Sequence, residues 1–286
     1  MNKENLKRIE NKSSNGQKKG HGFHEWIKKG NSINICTGCP NDCKYCYAKG
    51  RAYRFKQVKI GEWSKEKIRE HDVIKNRKLY DGLVAFPTSH DVTITNIDSY
   101  LKVLEKLLIS GNEILIVSKP RFECIEKICN KAAAYKDKII FRFSIGAIDD
   151  EILSFWDTNA PIYAERKQSL MYAFENGFRT SVSMEPLLDS SNVVTMVEEL
   201  AEYVSDYIWI GKMNYTGILR KRAHDNNDLH FIEQIKIIED GQTNEKIWAI
   251  NDEFQKRPEL LKKISWKESF QKVIDLQQQA PVKQTA

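Results

Sequence analysis

The sequence predicts an α/β protein built as an open, partial (β/α)6 barrel. Short apolar runs rich in β-branched residues alternate with longer stretches that have the period of amphipathic helices. This alternation is typical of parallel βαβ units with right-handed crossovers. Six such units are too few for a closed eight-fold barrel, and 286 residues are enough for one large domain with a buried core.

The predicted elements follow one another in a regular order. The six predicted strands are 32–36, 83–86, 114–118, 139–145, 180–185 and 207–212. The predicted helices between them are 64–78, 97–109, 121–135, 163–176 and 193–203. Gly111 and Gly177 follow two of these helices, as expected of residues that end helices. Beyond the last strand, the pattern predicts helices at 229–239 and 254–275, with a short apolar run at 247–250.

Composition divides the chain into four predicted regions. We expect a partial barrel at 31–214 and a helical extension that closes it at 215–276. Residues 1–30 carry eight Lys/Arg against three Asp/Glu, most of the net charge of +6, and predict a disordered basic arm. Residues 277–286 predict a disordered tail. No apolar run has the length of a membrane span and cysteines are few, so we expect a cytoplasmic protein without a membrane partner.

Four of the six cysteines lie within eleven residues, and three of them have the spacing C-x-x-x-C-x-x-C: Cys39, Cys43 and Cys46. Three thiolates on one loop can hold three irons of a [4Fe–4S] cube, whereas a fourth would close the cluster. An incomplete set leaves one iron with an open position, where a metal site can do chemistry.

The alternative to an iron–sulfur cluster is a structural zinc site that uses all four clustered cysteines. Cys36 and Cys39 would form one hook, and Cys43 and Cys46 the other, but zinc hooks are usually separated by a dozen or more residues rather than three. Cys36 ends an apolar run and is interpreted as a buried small hydrophobe, although a ligand role stays open. The two remaining cysteines, Cys124 and Cys129, are interpreted as core residues of a helix.

Polar side chains gather toward the carboxyl ends of the predicted strands, where barrel active sites are built. Arg142 and Ser144 share one strand face because side chains alternate with period two. In the predicted strand 180–185, Ser181, Ser183 and Glu185 share a face in the same way. Lys212 ends the predicted strand 207–212, and Ser89, His90 and Asp91 follow the predicted strand 83–86. Buried polar groups need partners, so this pattern predicts a site. Lys119 is interpreted as the point where a strand emerges into water.

The cysteine spacing, with Tyr45 just before the last cysteine, resembles the signature of the radical S-adenosylmethionine (AdoMet) superfamily. Further segments resemble its spore photoproduct lyase and DNA repair photolyase-like branch: Phe141 to Gly146, Ala160-Pro161, Glu165-Arg166 and Gly177 to Asp189. The resemblance runs from about residue 33 to 214 and implies the same partial barrel.

This resemblance also implies the cofactors and their contacts. Cys39, Cys43 and Cys46 would ligate a [4Fe–4S] cluster whose fourth iron binds AdoMet. An electron from a donor such as flavodoxin or ferredoxin would then cleave AdoMet, and a hydrogen atom would be abstracted from the substrate. The candidate AdoMet contacts are Tyr45 near the adenine, Ser89, His90 and Asp91 near the amino group, Ser144 and Glu185 by position, and Arg142, Ser183 and Lys212 for AdoMet or substrate. No catalytic residue is assigned.

A nucleic acid or nucleotide is the predicted substrate class. A mixture of cations and aromatics follows the cysteines, suited to phosphates and bases, with a solvated helix face as the alternative: Arg51, Tyr53, Arg54, Phe55 and Lys56. A second basic run, 220–222, is predicted to lie in a loop. A radical AdoMet enzyme acting on a small metabolite or peptide, or a non-enzymatic protein with a metal cluster, stays open. Repair of a thymine dimer by this branch needs a cysteine that donates a hydrogen atom, and the spare cysteines do not suit that role. The reaction type is not resolved.

Overall fold

Six parallel strands form one sheet in sequence order in the computed structural model, which describes residues 31–279. The strands are β1 (Cys36–Thr37), β2 (Lys67–Ile68), β3 (Val84–Ala85), β4 (Ile114–Ser118), β5 (Ile139–Ser144), β6 (Arg179–Met184), β7 (Ile208–Ile210) and β8 (Ile264–Trp266). The six strands of the main sheet are β3 to β8, and neighbouring strands pair in parallel. A sequential parallel sheet with helical crossovers is the arrangement of an open barrel. The predicted fold class is therefore confirmed.

The helices lie between and after these strands. They are α1 (Tyr47–Arg54), α2 (Glu70–Ile74), α3 (Ile97–Ile109), α4 (Phe122–Lys131), α5 (Asp150–Trp156), α6 (Tyr163–Glu175), α7 (Val193–Leu200), α8 (Thr216–Asp225), α9 (Leu229–Asp240), α10 (Asn244–Gln255), α11 (Pro258–Leu261) and α12 (Glu268–Gln279). The predictions for α3 and α6 are accurate to one residue. Of the helix predicted at 64–78 only α2 is present, because β2 and irregular backbone occupy the rest, and α1 and α5 were not predicted.

The first predicted strand is wrong as a member of the main sheet. Residues 32–36 make one isolated parallel bridge, from Ser32 to Ala85, and the backbone then turns away. β1 pairs instead with β2 in a small antiparallel sheet. The chain is held there by Arg69, whose N–H donates to the Ile35 carbonyl at 2.7 Å and whose Nη2 donates to the Asn34 carbonyl at 2.6 Å.

The sixth strand of the main sheet comes from the C-terminal segment. β8 pairs in parallel with β7, in a region that the sequence predicted as one helix at 254–275. The helical prediction is wrong there because three residues of strand are too few to produce a readable period. The strand exists because its backbone groups pair with β7, and the sequence alone does not predict that contact.

The hydrophobic core lies between the sheet and its helices. α3 is representative, since Tyr100, Leu104 and Leu107 are spaced along one helix face and are fully buried. Cys124 and Cys129 are buried in α4, which confirms their interpretation as core residues.

The two ends of the chain were predicted to be disordered. The predicted arm at 1–30 and the tail from 280 lie outside the described residues, while 277–279 belong to α12. None of the described helices is long and apolar enough to cross a membrane.

Candidate functional site

The cysteine loop, which we define as residues 38–46, lies over the carboxyl ends of β3, β4 and β5. The Cys39 N–H donates to the Trp63 carbonyl at 2.9 Å, and the Lys44 N–H donates to the Trp156 carbonyl at 2.9 Å. Gly38 makes the entry possible, because its φ is +90° and a Cβ there would lie 2.7 Å from the Trp63 oxygen. The loop is thus held by backbone contacts at both ends.

Lys119 is the centre of a buried group of charges beneath the loop. Its Nζ lies 3.9 Å from Asp91 Oδ2 and 3.9 Å from Asp157 Oδ1, and 5.6 Å from the centre of the Tyr45 ring. Burial alone would lower the pKa of Lys119, but the surrounding Cys43, Tyr45 and carboxylates raise it well above its ordinary value. The interpretation of Lys119 as a residue emerging into water is therefore wrong, since only 12% of its side chain is exposed.

Asp91 joins the cysteine loop to the end of β4. Its carboxylate accepts hydrogen bonds from Asn41 Nδ2 at 2.8 Å, Ser118 Oγ at 3.1 Å and the Lys119 N–H at 2.8 Å. Burial would raise the pKa of Asp91, but Lys119 and these donors outweigh it and hold the pKa below its usual value. Asp91 is therefore an ionised anchor.

Asp157 plays the same part after β5. It accepts a hydrogen bond from the Tyr45 hydroxyl and another from Arg166 Nη1 at 2.9 Å. Arg166 is fully buried and also donates to the carbonyls of Pro161 and Ser144. The pKa of Asp157 is lowered because Lys119 and Arg166 outweigh the effect of burial. Tyr45 is thus fixed by a carboxylate that two cations neutralise.

The three cysteines of the C-x-x-x-C-x-x-C spacing lie near this group of charges. Cys39 and Cys43 are buried, and Cys46 caps α1, where its Sγ accepts from the Lys49 N–H at 3.4 Å. Burial raises the pKa of each thiol, and the Lys119 ammonium lowers the pKa of all three. All three thiols therefore lie within the electrostatic reach of the same buried cation, although burial outweighs its effect on their pKa values.

Cys36 belongs to a different group. The side-chain ligand atoms of Cys36, Glu66 and His90 lie within 4.8 Å of one another. Within residues 31–279, this is the group of three potential metal ligands that lies so close together. His90 Nε2 accepts from the Ile35 N–H at 3.1 Å, and its Nδ1 donates to the Asp91 carbonyl at 3.0 Å. Because both ring nitrogens are used, this group reads as a hydrogen-bonded support behind the loop rather than a metal site.

Glu66 in this group is also satisfied by its neighbours. Its carboxylate accepts from Thr93 Oγ1 at 2.7 Å and from Asn96 Nδ2 at 2.6 Å. Cys36 packs in the main core, whereas Cys39 packs in a separate small cluster with Ala48 and Trp63. This separation disfavours a zinc site that would need all four clustered thiols.

The donor set and its surroundings fit a cluster held by three thiolates. Cys39, Cys43 and Cys46 are free thiols on one loop near one buried lysine, and Cys36, the remaining clustered cysteine, packs in the main core. The Trp63 indole N–H, buried beside Cys39, has no hydrogen-bond partner within residues 31–279. Such a donor is costly unless an acceptor is present, and a cluster sulfur would provide one.

The polar face predicted for β5 and β6 is present. Ser144 pairs with Ser183 in register, and Arg142 pairs with Ser181, so all four side chains lie on one face of the sheet. Arg142 Nε donates to Ser181 Oγ at 3.2 Å. The roles of Ser144 and Ser183 in binding AdoMet stay predictions.

The remaining predicted residues are dispersed. Glu185 forms an ion pair with Lys267, at 2.9 Å, and partial burial lowers the pKa of Lys212. The Ser89 N–H donates to Asn34 Oδ1 at 2.7 Å. The His90 ring and the Asp91 carboxylate, which follow it, turn into the protein. Lys267 was missed because it lies in a predicted helix, where a lysine carries no signal of its own.

Comparison with known proteins gives one sequence relative and a shared fold. No family profile matches the chain. The uncharacterised protein ORF301 of Acidianus two-tailed virus is 26% identical over 195 residues, which are 64% of this chain and 64% of that protein. A spore photoproduct lyase double mutant, solved with bound AdoMet and dinucleoside spore photoproduct, aligns with a TM-score of 0.50 and 14% identity.

That alignment covers 71% of this chain and 60% of the lyase, so the chain spans less than two thirds of either relative. A second spore photoproduct lyase structure, complexed with dinucleoside spore photoproduct, has a TM-score of 0.49 over the same shares of both chains. The resemblance to the spore photoproduct lyase branch is confirmed as a likeness of fold.

Proposed function

We propose that the protein is a radical AdoMet enzyme with a [4Fe–4S] cluster bound by Cys39, Cys43 and Cys46. The observation that carries the proposal is that these three thiols lie on one loop packed against Asp91 and Lys119, while Cys36 packs in the main core. When bound, the cluster and AdoMet supply one-electron cleavage of a sulfonium and hydrogen-atom abstraction. The electron would come from a small donor protein such as flavodoxin or ferredoxin.

The chain's own residues prepare the site for that chemistry. Asp157 and Arg166 orient Tyr45 at the edge of the cysteine loop, where it would lie near the adenine. Ser144 and Ser183 offer hydroxyl groups at the ends of neighbouring strands, suited to the polar groups of AdoMet. The buried carboxylates and cations keep water out without leaving an uncompensated charge.

A nucleic acid or nucleotide is the proposed substrate class, supported by the exposed face of α1. Tyr47, Arg51, Arg54 and Phe55 share one helix stripe, and the two aromatic rings are 51% and 60% exposed. Exposed rings among cations suit stacked bases and phosphates. This exposure favours the binding interpretation over a helix face whose aromatics belong to the core, although Tyr53 is partly buried.

The second basic run contributes differently from the prediction. Arg220 to Arg222 lie in α8 and not in a loop, so that part of the prediction is wrong. Arg220 pairs with Glu239, while Arg222 donates to the Lys44 carbonyl of the cysteine loop. We propose that residues 31–214 form the catalytic barrel and that 215–276 close it, a role supported by β8.

Cleavage of AdoMet by the reconstituted protein tests the proposed activity. After anaerobic reconstitution and reduction, we expect 5′-deoxyadenosine from the full chain, and loss of both iron and product in Cys43→Ala. The matched control is Cys129→Ala, a buried thiol in α4, which should retain the cluster. Cys36→Ala should also retain iron. A stoichiometric zinc ion that is lost from Cys36→Ala would refute the proposal.

Salt-dependent binding of a labelled single-stranded oligonucleotide tests the substrate class. We expect log Kd to depend linearly on log salt, and Arg51→Ala/Arg54→Ala to reduce the slope by about 1.4, since two phosphate contacts are lost. The control variant Lys236→Ala/Lys272→Ala removes two exposed cations from α9 and α12 and should leave the slope unchanged. Binding that is independent of salt would instead favour a small metabolite or peptide.

A further inference from the structure

A second polar group lies on the inner face of the sheet, at the strands remote from the cysteine loop. We call it the indole group and define it as Arg142, Glu185, Trp209 and Lys267. The Arg142 guanidinium lies 4.8 Å from the centre of the Trp209 ring, and the Lys267 ammonium lies 5.2 Å from it. Two cations over one indole are held there by cation–π attraction.

The Trp209 indole N–H carries the inference. The side chain is 6% exposed, and its Nε1 has no hydrogen-bond partner within residues 31–279. A buried donor without an acceptor costs about 1–3 kcal/mol, and the two cations near the Trp209 ring cannot accept its proton. The group is therefore suited to a ligand that brings an acceptor oxygen.

Glu185 supplies the opposite function in the same group. Its carboxylate pairs with Lys267 Nζ at 2.9 Å, yet 27% of its side chain is exposed, against 5% for Lys267. Gly211 makes room for the pair, since a Cβ there would lie 2.8 Å from Lys267 Cβ and 3.2 Å from Glu185 Oε1. An accessible acceptor therefore lies beside the buried donors.

This combination selects the chemistry of the ligand. A phosphate would find donors at Trp209 and Lys267, but it would be repelled by the Glu185 carboxylate beside them. A neutral group with an N–H next to a carbonyl satisfies both sides, because the N–H donates to Glu185 and the carbonyl accepts from Trp209 or Lys267. Nucleobases with an imide or lactam edge, such as uracil, thymine and guanine, have this pattern.

The location also suits a substrate rather than the cofactor. The cysteine loop contacts Asp91 through Cys39, and Lys119 and Asp157 through Tyr45; these three partners follow β3, β4 and β5. The indole group is built by β7 and by residues that follow β6 and β8, with Arg142 alone coming from β5. A molecule bound at the indole group would thus face the cysteine loop across the open end of the sheet.

We propose that Glu185, Trp209 and Lys267 bind the imide or lactam edge of a nucleobase in the substrate. The proposal rests on the proposed function for its substrate class, and it moves Glu185 from an AdoMet contact to a substrate contact. Arg142 acts as a positioning residue because it packs over the Trp209 ring and is tied to β6 through Ser181.

The test is nucleoside binding by the anaerobically reconstituted full chain, saturated with AdoMet and followed by NMR titration. We expect uridine to bind, and N3-methyluridine, which lacks the N–H, to bind about tenfold more weakly. Trp209→Phe keeps a ring but removes the indole N–H, and it should weaken uridine binding about tenfold. Inorganic phosphate should not compete. AdoMet affinity should change less than twofold.

The matched control is Trp248→Phe, which loses an indole N–H bonded to the Val273 carbonyl, away from this group, and should leave uridine binding unchanged. Lys267→Gln is the second variant should Trp209→Phe fail to fold, and it should weaken uridine in the same way. Absence of uridine binding, competition by phosphate, or weakened AdoMet binding in Trp209→Phe would each overturn the proposal. Failure of the proposed function is separate, because it would abolish 5′-deoxyadenosine while Trp209-dependent uridine binding persisted.

Discussion

The two ends of the same sheet carry opposite kinds of polar group. Beneath the cysteine loop, Lys119 and Arg166 offset Asp91 and Asp157, and the carboxylate oxygens have protein donors. At the indole group, Trp209 retains a donor without an acceptor and Glu185 stays partly exposed. The carboxylates of the first arrangement are thus satisfied within the protein, whereas the Trp209 N–H of the second has no partner within residues 31–279. Under the proposals above, the first arrangement would hold a resident group and the second would exchange a substrate.

Each end also has one buried indole without a partner. Trp63 packs beside Cys39, and Trp209 lies near Arg142 and Lys267. Burying an unpaired donor lowers stability, so an acceptor supplied by a bound group would relieve the cost at either indole.

Removing the cation of the cysteine side should have the largest effect. Lys119→Met leaves two buried carboxylates and three thiols without their shared cation, and should lower the free energy of unfolding by about 3 kcal/mol. Urea denaturation measures the change. Lys127→Met, an exposed partner of Glu123 on α4, should lower it by less than about 1 kcal/mol. Equal effects from the two variants would contradict the central role of Lys119.

Acid should destabilise the cysteine side through His90. Burial lowers the pKa of His90 from 6.5 to about 4, although Asp91 opposes the shift. Between these values the unfolded chain binds a proton that the folded chain does not, so stability falls as pH falls through this window. We expect a loss of about 2 kcal/mol between pH 6.5 and 5.

The variant His90→Gln keeps an acceptor for the Ile35 N–H but cannot titrate, so its stability should depend less on pH in that window. Denaturant unfolding at several pH values measures both proteins. His224→Gln, at an exposed position of α8, is the control and should follow the unsubstituted chain. A pH dependence that His90→Gln leaves unaltered would assign the acid sensitivity to other groups.

A third effect is expected at the indole group, where Gly211 admits the Glu185–Lys267 pair. Gly211→Ala adds a Cβ 2.8 Å from Lys267 Cβ and should cost about 1–3 kcal/mol while weakening uridine binding. Thermal unfolding measures the first effect. Gly217→Ala, with no atom within 4 Å of the added Cβ, should change stability by less than about 1 kcal/mol. A neutral Gly211→Ala would mean that the pair can shift without loss.

Local patterns in the sequence determined the helices with long amphipathic repeats and the central strands. They also determined the spacing of the three thiols on one loop. α3 and α6 were predicted within one residue because their apolar spacing is set along the chain itself. The shared face of β5 and β6 followed from the alternation of side chains in a strand. The spacing of Cys39, Cys43 and Cys46 likewise needed no tertiary information.

Tertiary structure decided the elements and pairs that depend on distant partners. β8 exists because β7 offers it backbone hydrogen bonds, and the short strand β1 pairs with β2 rather than with the main sheet. Lys119 and Lys267 look like ordinary lysines in the sequence. Their roles arise only when folding buries each one against carboxylates that lie far away along the chain, because the energy of a charge depends on its surroundings and not on its position in the sequence.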